Sequence, residues 1–182
     1  MTFSARSARV LGSLRPRARR SANHLLLAVA LAATPLSTLV GQVGLRVGAK
    51  APVAVVKDTA GRDVNLSQYV GKGPVLIEFW ATWCANCREL EPRIAAVAQR
   101  YAGRVKLVGV AVGVNQSAER VRRYAVTHRL PMDIFYDATG AAADAYDAPA
   151  TSYIVVLDRT GTVVYTGLGG DQDLEAAIRK AL

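Results

Sequence analysis

Side chains that can carry soft-ligand or redox chemistry are scarce here: 182 residues include two cysteines, two histidines and two methionines. One of the histidines, His24, falls in an arginine- and leucine-rich leader. A structural zinc centre normally takes four nitrogen or sulfur ligands, so no metal site is expected. A stapling disulfide is not needed either, because a chain that is 51% apolar can bury a core of its own. Acidic residues are absent from positions 1–50, which hold eight of the 23 Lys and Arg residues. Beyond Lys50, fifteen basic residues face fourteen acidic ones, so all but one of the nine net positive charges belong to positions 1–50. A phosphate-backbone partner is therefore not expected, and no nucleic acid is assigned. Gly113 to Asn115 lacks the Gly-Lys-Ser/Thr of a phosphate loop, and no flavin or nicotinamide motif is present, so no cofactor is expected.

Six arginines between Arg6 and Arg20 precede the apolar run Leu25–Ala33, then Pro35 and a weaker apolar patch, Leu36–Val40. A positive stretch before an apolar one is the physical pattern of an export signal, with the arginines retained on the cytoplasmic side. Membrane crossing takes about 20 apolar residues, and Pro35 interrupts the only stretch that approaches this. Either the leader is cut near Ala30–Ala33, or residues 24–40 remain as an N-terminal membrane anchor. A twin-arginine signal at Arg19-Arg20 and a mitochondrial targeting peptide are weaker readings. Residues 1–41 are thus assigned to a signal peptide or anchor, 42–50 to a glycine-spaced tether and 51–182 to one folded domain. An extracytoplasmic location follows, the periplasm or an equivalent space.

Both cysteines sit in Phe79-Trp80-Ala81-Thr82-Trp83-Cys84-Ala85-Asn86-Cys87, between the apolar run Val75–Ile77 and a segment of helical periodicity. A strand-to-helix junction puts the first sulfur at a helix N-terminus, where unpaired amides and the positive end of the macrodipole favour thiolate. The second sulfur lies one turn further on, within reach of a disulfide. So short a loop constrains the unfolded chain little, which argues for redox exchange rather than a structural bridge. Copper(I) held by the two thiolates without turnover is the rival reading, since Cu(I) accepts few, soft ligands. A peroxidatic Pro-x-x-x-Thr-x-x-Cys motif is not met, because Thr82 stands two residues before Cys84. Glu78 is a lone acid in an otherwise apolar central strand; burial should raise its proton affinity and suit it to shuttle a proton.

The remaining pattern predicts strands at Ala51–Lys57, Val75–Trp80, Val105–Val112, Met132–Tyr136, Ser152–Leu157 and Thr162–Leu168. Helices are expected from Cys84 to about Tyr101, with Pro92 inside, from Ser117 to near His128, and from Asp171 or Asp173 to Leu182. Gly140–Tyr146 reads as a poor helix or loop. Asp158-Arg159-Thr160-Gly161 joins the last two strands as a hairpin turn. His128 is expected to meet the last carbonyls of its helix, and Arg120, Arg122 and Arg123 to form a solvated face. This order implies an α/β fold with a mixed sheet covered on both faces.

Phe79-Trp80-Ala81-Thr82-Trp83-Cys84-x-x-Cys87, then Pro92, then Ala148-Pro149-Ala150-Thr151 before a strand, resemble the thioredoxin superfamily. Val47-Gly48-Ala49-Lys50-Ala51-Pro52, Gly61 and Gly71-Lys72-Gly73-Pro74 are similar to exported TlpA/ResA-type thiol–disulfide oxidoreductases. The resemblance, over residues 47–182, implies a thioredoxin-like three-layer domain with an N-terminal β extension. It implies that Cys84 attacks, Cys87 resolves, and Glu78 takes and returns the proton of Cys87. Pro149 would be the family's cis-proline facing the disulfide, Ala148 would offer its backbone to a substrate chain, and Trp83 would shape the docking surface. The implied partners are protein thiols and disulfides and a membrane or soluble thiol donor of electrons, met by a monomeric domain. Maturation of envelope proteins awaiting haem or copper is the implied setting. Ala85-Asn86 departs from relatives with proline before the second cysteine, and Leu90 stands where many carry a glutamate.

Overall fold

The computed structural model describes residues 44–182. The leader, including the possible anchor expected at 24–40, and the first residues of the expected tether lie outside the described residues. The described part of that tether is docked rather than free. Gly48 N donates to Val163 O, Val163 N to Ala49 O and Ala51 N to Gly161 O. Lys50 bridges Thr162 and sends its ammonium to Thr160 and Thr162.

Strand β1 is Val55–Lys57 and β2 is Asp63–Asn65, joined by an Asp58–Gly61 turn whose Asp58 carboxylate accepts from the amides of Ala60 and Arg62. Asn65 caps a single 3-10 turn, Leu66–Tyr69. Strand β3, Val75–Trp80, is buried along its whole length. Helix α1, Ala85–Arg100, follows it directly, and Pro92 is accommodated inside. Then come β4 (Lys106–Val112), α2 (Ala118–Thr127, capped by Ser117), β5 (Asp133–Asp137) and a short α3 (Ala141–Ala145). The chain closes with β6 (Tyr153–Leu157), β7 (Val163–Leu168) and α4 (Leu174–Arg179, capped by Asp173).

The seven strands form one sheet in the order β2-β1-β5-β4-β3-β6-β7. Strands β3, β4 and β5 run parallel, while β6 and β7 run antiparallel to their neighbours. Side chains of β3 alternate between the faces, as period-2 geometry requires. Val75, Ile77 and Phe79 join Tyr146, Tyr153 and Leu66 on the face covered by α3 and the 3-10 turn. Leu76 meets Leu90, Ile94 and Val97 of α1 and Leu174 and Ile178 of α4 on the other. Trp80, Ala81, Ala111 and Val121 make a smaller cluster with the two cysteines. The thioredoxin-like α/β architecture with a mixed sheet is therefore present, its N-terminal extension being the β1–β2 hairpin.

Candidate active site at the end of the central strands

Three loops converge because of strand direction. The chain leaves β3 at Ala81–Trp83, leaves the parallel β4 at Gly113–Ser117, and enters the antiparallel β6 from Ala148–Ser152. All three therefore lie at one end of the sheet. Their contacts bear this out: Trp83 Nε1 donates to Val114 O at 2.9 Å, and Ser152 N donates to Phe79 O at 2.8 Å. Gln116 fixes the turn before the cysteines. Its side chain accepts from Thr82 N (2.9 Å) and donates to Val112 O (2.6 Å), while its own carbonyl accepts from Tyr136 OH.

Cys84 and Cys87 are joined as a disulfide, with Cα atoms 5.3 Å apart. Cys84 is the N-cap of α1, and its sulfur accepts from Cys87 N at 3.1 Å. No acidic side chain lies in the first turn of this 16-residue helix. The positive helix end is left to act on the sulfur of Cys84, which favours its thiolate once the bond is reduced. Both cysteines are largely covered, whereas Trp83 beside them is 41% exposed and Val114, whose carbonyl it holds, 58%.

Glu78 lies on the α1 side of β3, between Leu76 and Trp80, with 2% of its surface exposed. Its strand neighbours are Gly109 and Ile154, and its Oε1 has no hydrogen-bond partner. Burial without compensation pushes its pKa up to about 8, with the nearby Glu91 carboxylate adding to the rise. A carboxyl with that affinity can exchange a proton with a thiol near neutral pH.

The loop bearing Ala148 and Pro149 differs from what the resemblance implied. The Ala148–Pro149 bond is trans, as is every peptide bond among the described residues. The chain is turned into β6 by two left-handed residues instead, Asp147 (φ 48°) and Ser152 (φ 64°). Ser152 is fully buried and pinned in that conformation: its Oγ accepts from Gly169 N, and its carbonyl accepts from Gln172 Nε2. Nor is the Ala148 backbone wholly open, since its amide donates to Ala143 O at 2.9 Å. Pro149 and Ala150 are the exposed residues of this loop.

His128 caps α2 through its backbone amide, but its ring turns elsewhere. Nδ1 lies 3.0 Å from Glu91 Oε2, and the other Glu91 oxygen accepts from Tyr124 OH at 2.6 Å. The expected contact between the ring and the helix carbonyls is replaced by a contact with α1, which no spacing in the sequence signals.

Residues 47–166 match the AhpC/TSA family. The chain belongs to that family. Within it, the chain is 31% identical over 137 residues to the thioredoxin-like protein YneN of Bacillus subtilis, covering 74% of this chain and 79% of YneN. It is 30% identical over 125 residues to the thiol-disulfide oxidoreductase ResA of the same organism, 68% of each chain being covered. A Chlorobium tepidum crystal structure described as a thiol:disulfide interchange protein, DsbE, superimposes with a TM-score of 0.67. The two share 25% identity over 75% of this chain and 98% of that one. The TlpA/ResA resemblance of the sequence is thus sustained, and the family member described here is a thiol–disulfide oxidoreductase.

Proposed function

We propose that this oxidoreductase reduces disulfides of other proteins in an extracytoplasmic space, and that Cys84 and Cys87 carry the electrons. The reading rests on a cysteine pair that closes at the N-terminus of α1, on the sheet face where Glu78 is buried. In the reduced enzyme, Cys84 thiolate attacks one sulfur of the partner's disulfide. A mixed disulfide forms, and the partner's other sulfur leaves as thiolate. Cys87 then gives its proton to the Glu78 carboxylate, and its sulfur attacks Cys84 Sγ. The bond between Cys84 and the partner breaks, a second thiol is released, and two electrons have passed from the enzyme to the partner. A thiol donor, in the membrane or soluble, must return them, because the chain carries no flavin or nicotinamide motif. Trp83 and the exposed Pro149–Ala150 segment would flank the pair and contact the partner chain.

The leader's charge pattern supports a periplasmic or equivalent location, anchored or secreted. Proteins awaiting haem or copper on paired cysteines fit as substrates, because such cysteines must be reduced before they can ligate. Cys87→Ser should accumulate partners bound covalently through Cys84, releasable by reductant and identifiable by mass spectrometry, whereas Cys84→Ser should accumulate none. Equal trapping by both variants would reject the division of labour between the two sulfurs.

A further inference from the structure

Glu78 is 2% exposed beneath α1, and the proposed resolving step leaves it holding the proton of Cys87. What surrounds it on that face is therefore decisive. From β3 it is flanked by Trp80 and Leu76, and Gly109 of β4 and Ile154 of β6 bring no charge. From α1 come Cys84, Cys87, Arg88 and Glu91, and from α2 come Tyr124 and His128.

Cys87 and Glu91 are four residues apart on α1 and so share a helix face. Glu91 is partly buried and held by two contacts, from side chains that also stack on one another. Tyr124 OH donates to Oε1, His128 Nδ1 meets Oε2, and the Tyr124 ring stacks on His128 at 3.7 Å between centroids. The same Tyr124 ring packs on Trp80 at 5.6 Å, which ties the cluster to the strand carrying Glu78. Desolvation and Glu91 together hold the Tyr124 hydroxyl in its protonated, donating form. The carboxylate of Glu91 is thereby fixed in place near the buried acid, whose proton affinity its charge raises.

We propose that the Glu91–Tyr124–His128 cluster is the charge control of Glu78: the anion on Glu91 governs the pH at which the buried acid is free to accept a proton. Glu91 is a positioning residue in this scheme, acting through Glu78 and touching neither sulfur nor substrate. The inference rests on the proposed proton-accepting role of Glu78, but it can fail separately from it. A neutral Glu91 would let Glu78 ionise at lower pH.

The test is a pH titration of the Glu78 carboxyl by carbon-13 NMR in the oxidised full-length protein. Alongside it runs stopped-flow resolution of a preformed mixed disulfide between pH 5 and 9. Glu91→Gln keeps the hydrogen-bonding shape while removing the charge. It should move the Glu78 midpoint down by on the order of 1 pH unit, the size expected for two like charges a layer of side chains apart. Glu91→Lys should move it further the same way, which lost packing alone would not do. The rising limb of the resolution rate should shift with the midpoint. An unmoved midpoint in both variants overturns the inference and leaves the role of Glu78 standing. A moved midpoint with an unmoved rate profile supports the charge control and overturns proton acceptance by Glu78.

Discussion

Replacing Glu78 by glutamine should change how the stability of this protein depends on pH. The group's ordinary pKa of 4.5 is raised to about 8 on folding, by burial first and by Glu91 second. The folded chain therefore keeps a proton that the unfolded chain has released across that interval. Its contribution is favourable below about pH 4.5, is lost steadily as pH rises, and levels off above about pH 8. One pKa unit corresponds to about 1.4 kcal/mol, so the loss amounts to roughly 3 kcal/mol at pH 7 and about 5 kcal/mol at pH 9. No hydrogen bond to Oε1 compensates the charge when it forms. Glu78→Gln removes the titration while keeping the volume, and any cost of its own buried amide is the same at every pH. Urea unfolding of both proteins in the oxidised state, at unit steps from pH 5 to 9, gives the stability difference directly. That difference should move in favour of the variant by about 1.4 kcal/mol per unit up to pH 8 and then flatten. A difference that stays constant from pH 5 to 9 would refute the buried, raised-affinity acid. The proposed role of Glu78 would then lose its physical basis.

Two further expectations concern the loops around the cysteines. Gln172→Leu leaves the carbonyls of buried Ser152 and half-buried Gly169 without their shared donor. It should cost about 2 kcal/mol and lower Tm by roughly 5–10 °C, measured by calorimetry; a change under 1 °C would show that the left-handed Ser152 turn holds without it. Trp83→Ala removes the largest exposed apolar surface next to Cys84. It should weaken binding of a protein disulfide about tenfold, about 1.4 kcal/mol, while reduction of a small aromatic disulfide falls less. Equal losses with both substrates would assign Trp83 to the chemistry of Cys84 rather than to docking.

Much of this was legible in the sequence because strong local signals agreed with the tertiary context. The apolar run Val75–Trp80 became the central strand, and the stripe of Leu90, Ile94 and Val97 became the buried face of α1. Glu78 could be singled out because a lone acid in such a strand has no inexpensive surroundings. The first strand is shorter than its β-branched pattern predicts: Ala51 donates to Gly161 and Pro52 has no amide to give, so pairing with β2 starts only at Val55. The turn before β6 is not legible in the sequence: the resemblance implies a cis bond at Pro149, whereas the bond is trans. The left-handed Ser152 that makes the turn depends instead on Gln172, twenty residues away. Gln116, Gln172 and the Glu91–His128 contact share this property. Each is a polar side chain placed by tertiary packing, with no period or spacing to announce it.

The docking of residues 48–51 against the start of β7 also bears on how molecules of this protein meet one another. An open sheet offers two rows of unpaired amides and carbonyls, each a template for a strand from another chain. Here one rim is partly occupied by the Lys50–Thr162 bridge and the bonds between Ala49 and Val163 and between Gly48 and Val163. The other rim is β2, three residues long and flanked by the Lys57–Asp63 ion pair at 2.8 Å. Both borders are thus poor sites for strand addition, which guards against self-association into extended sheets at high local concentration.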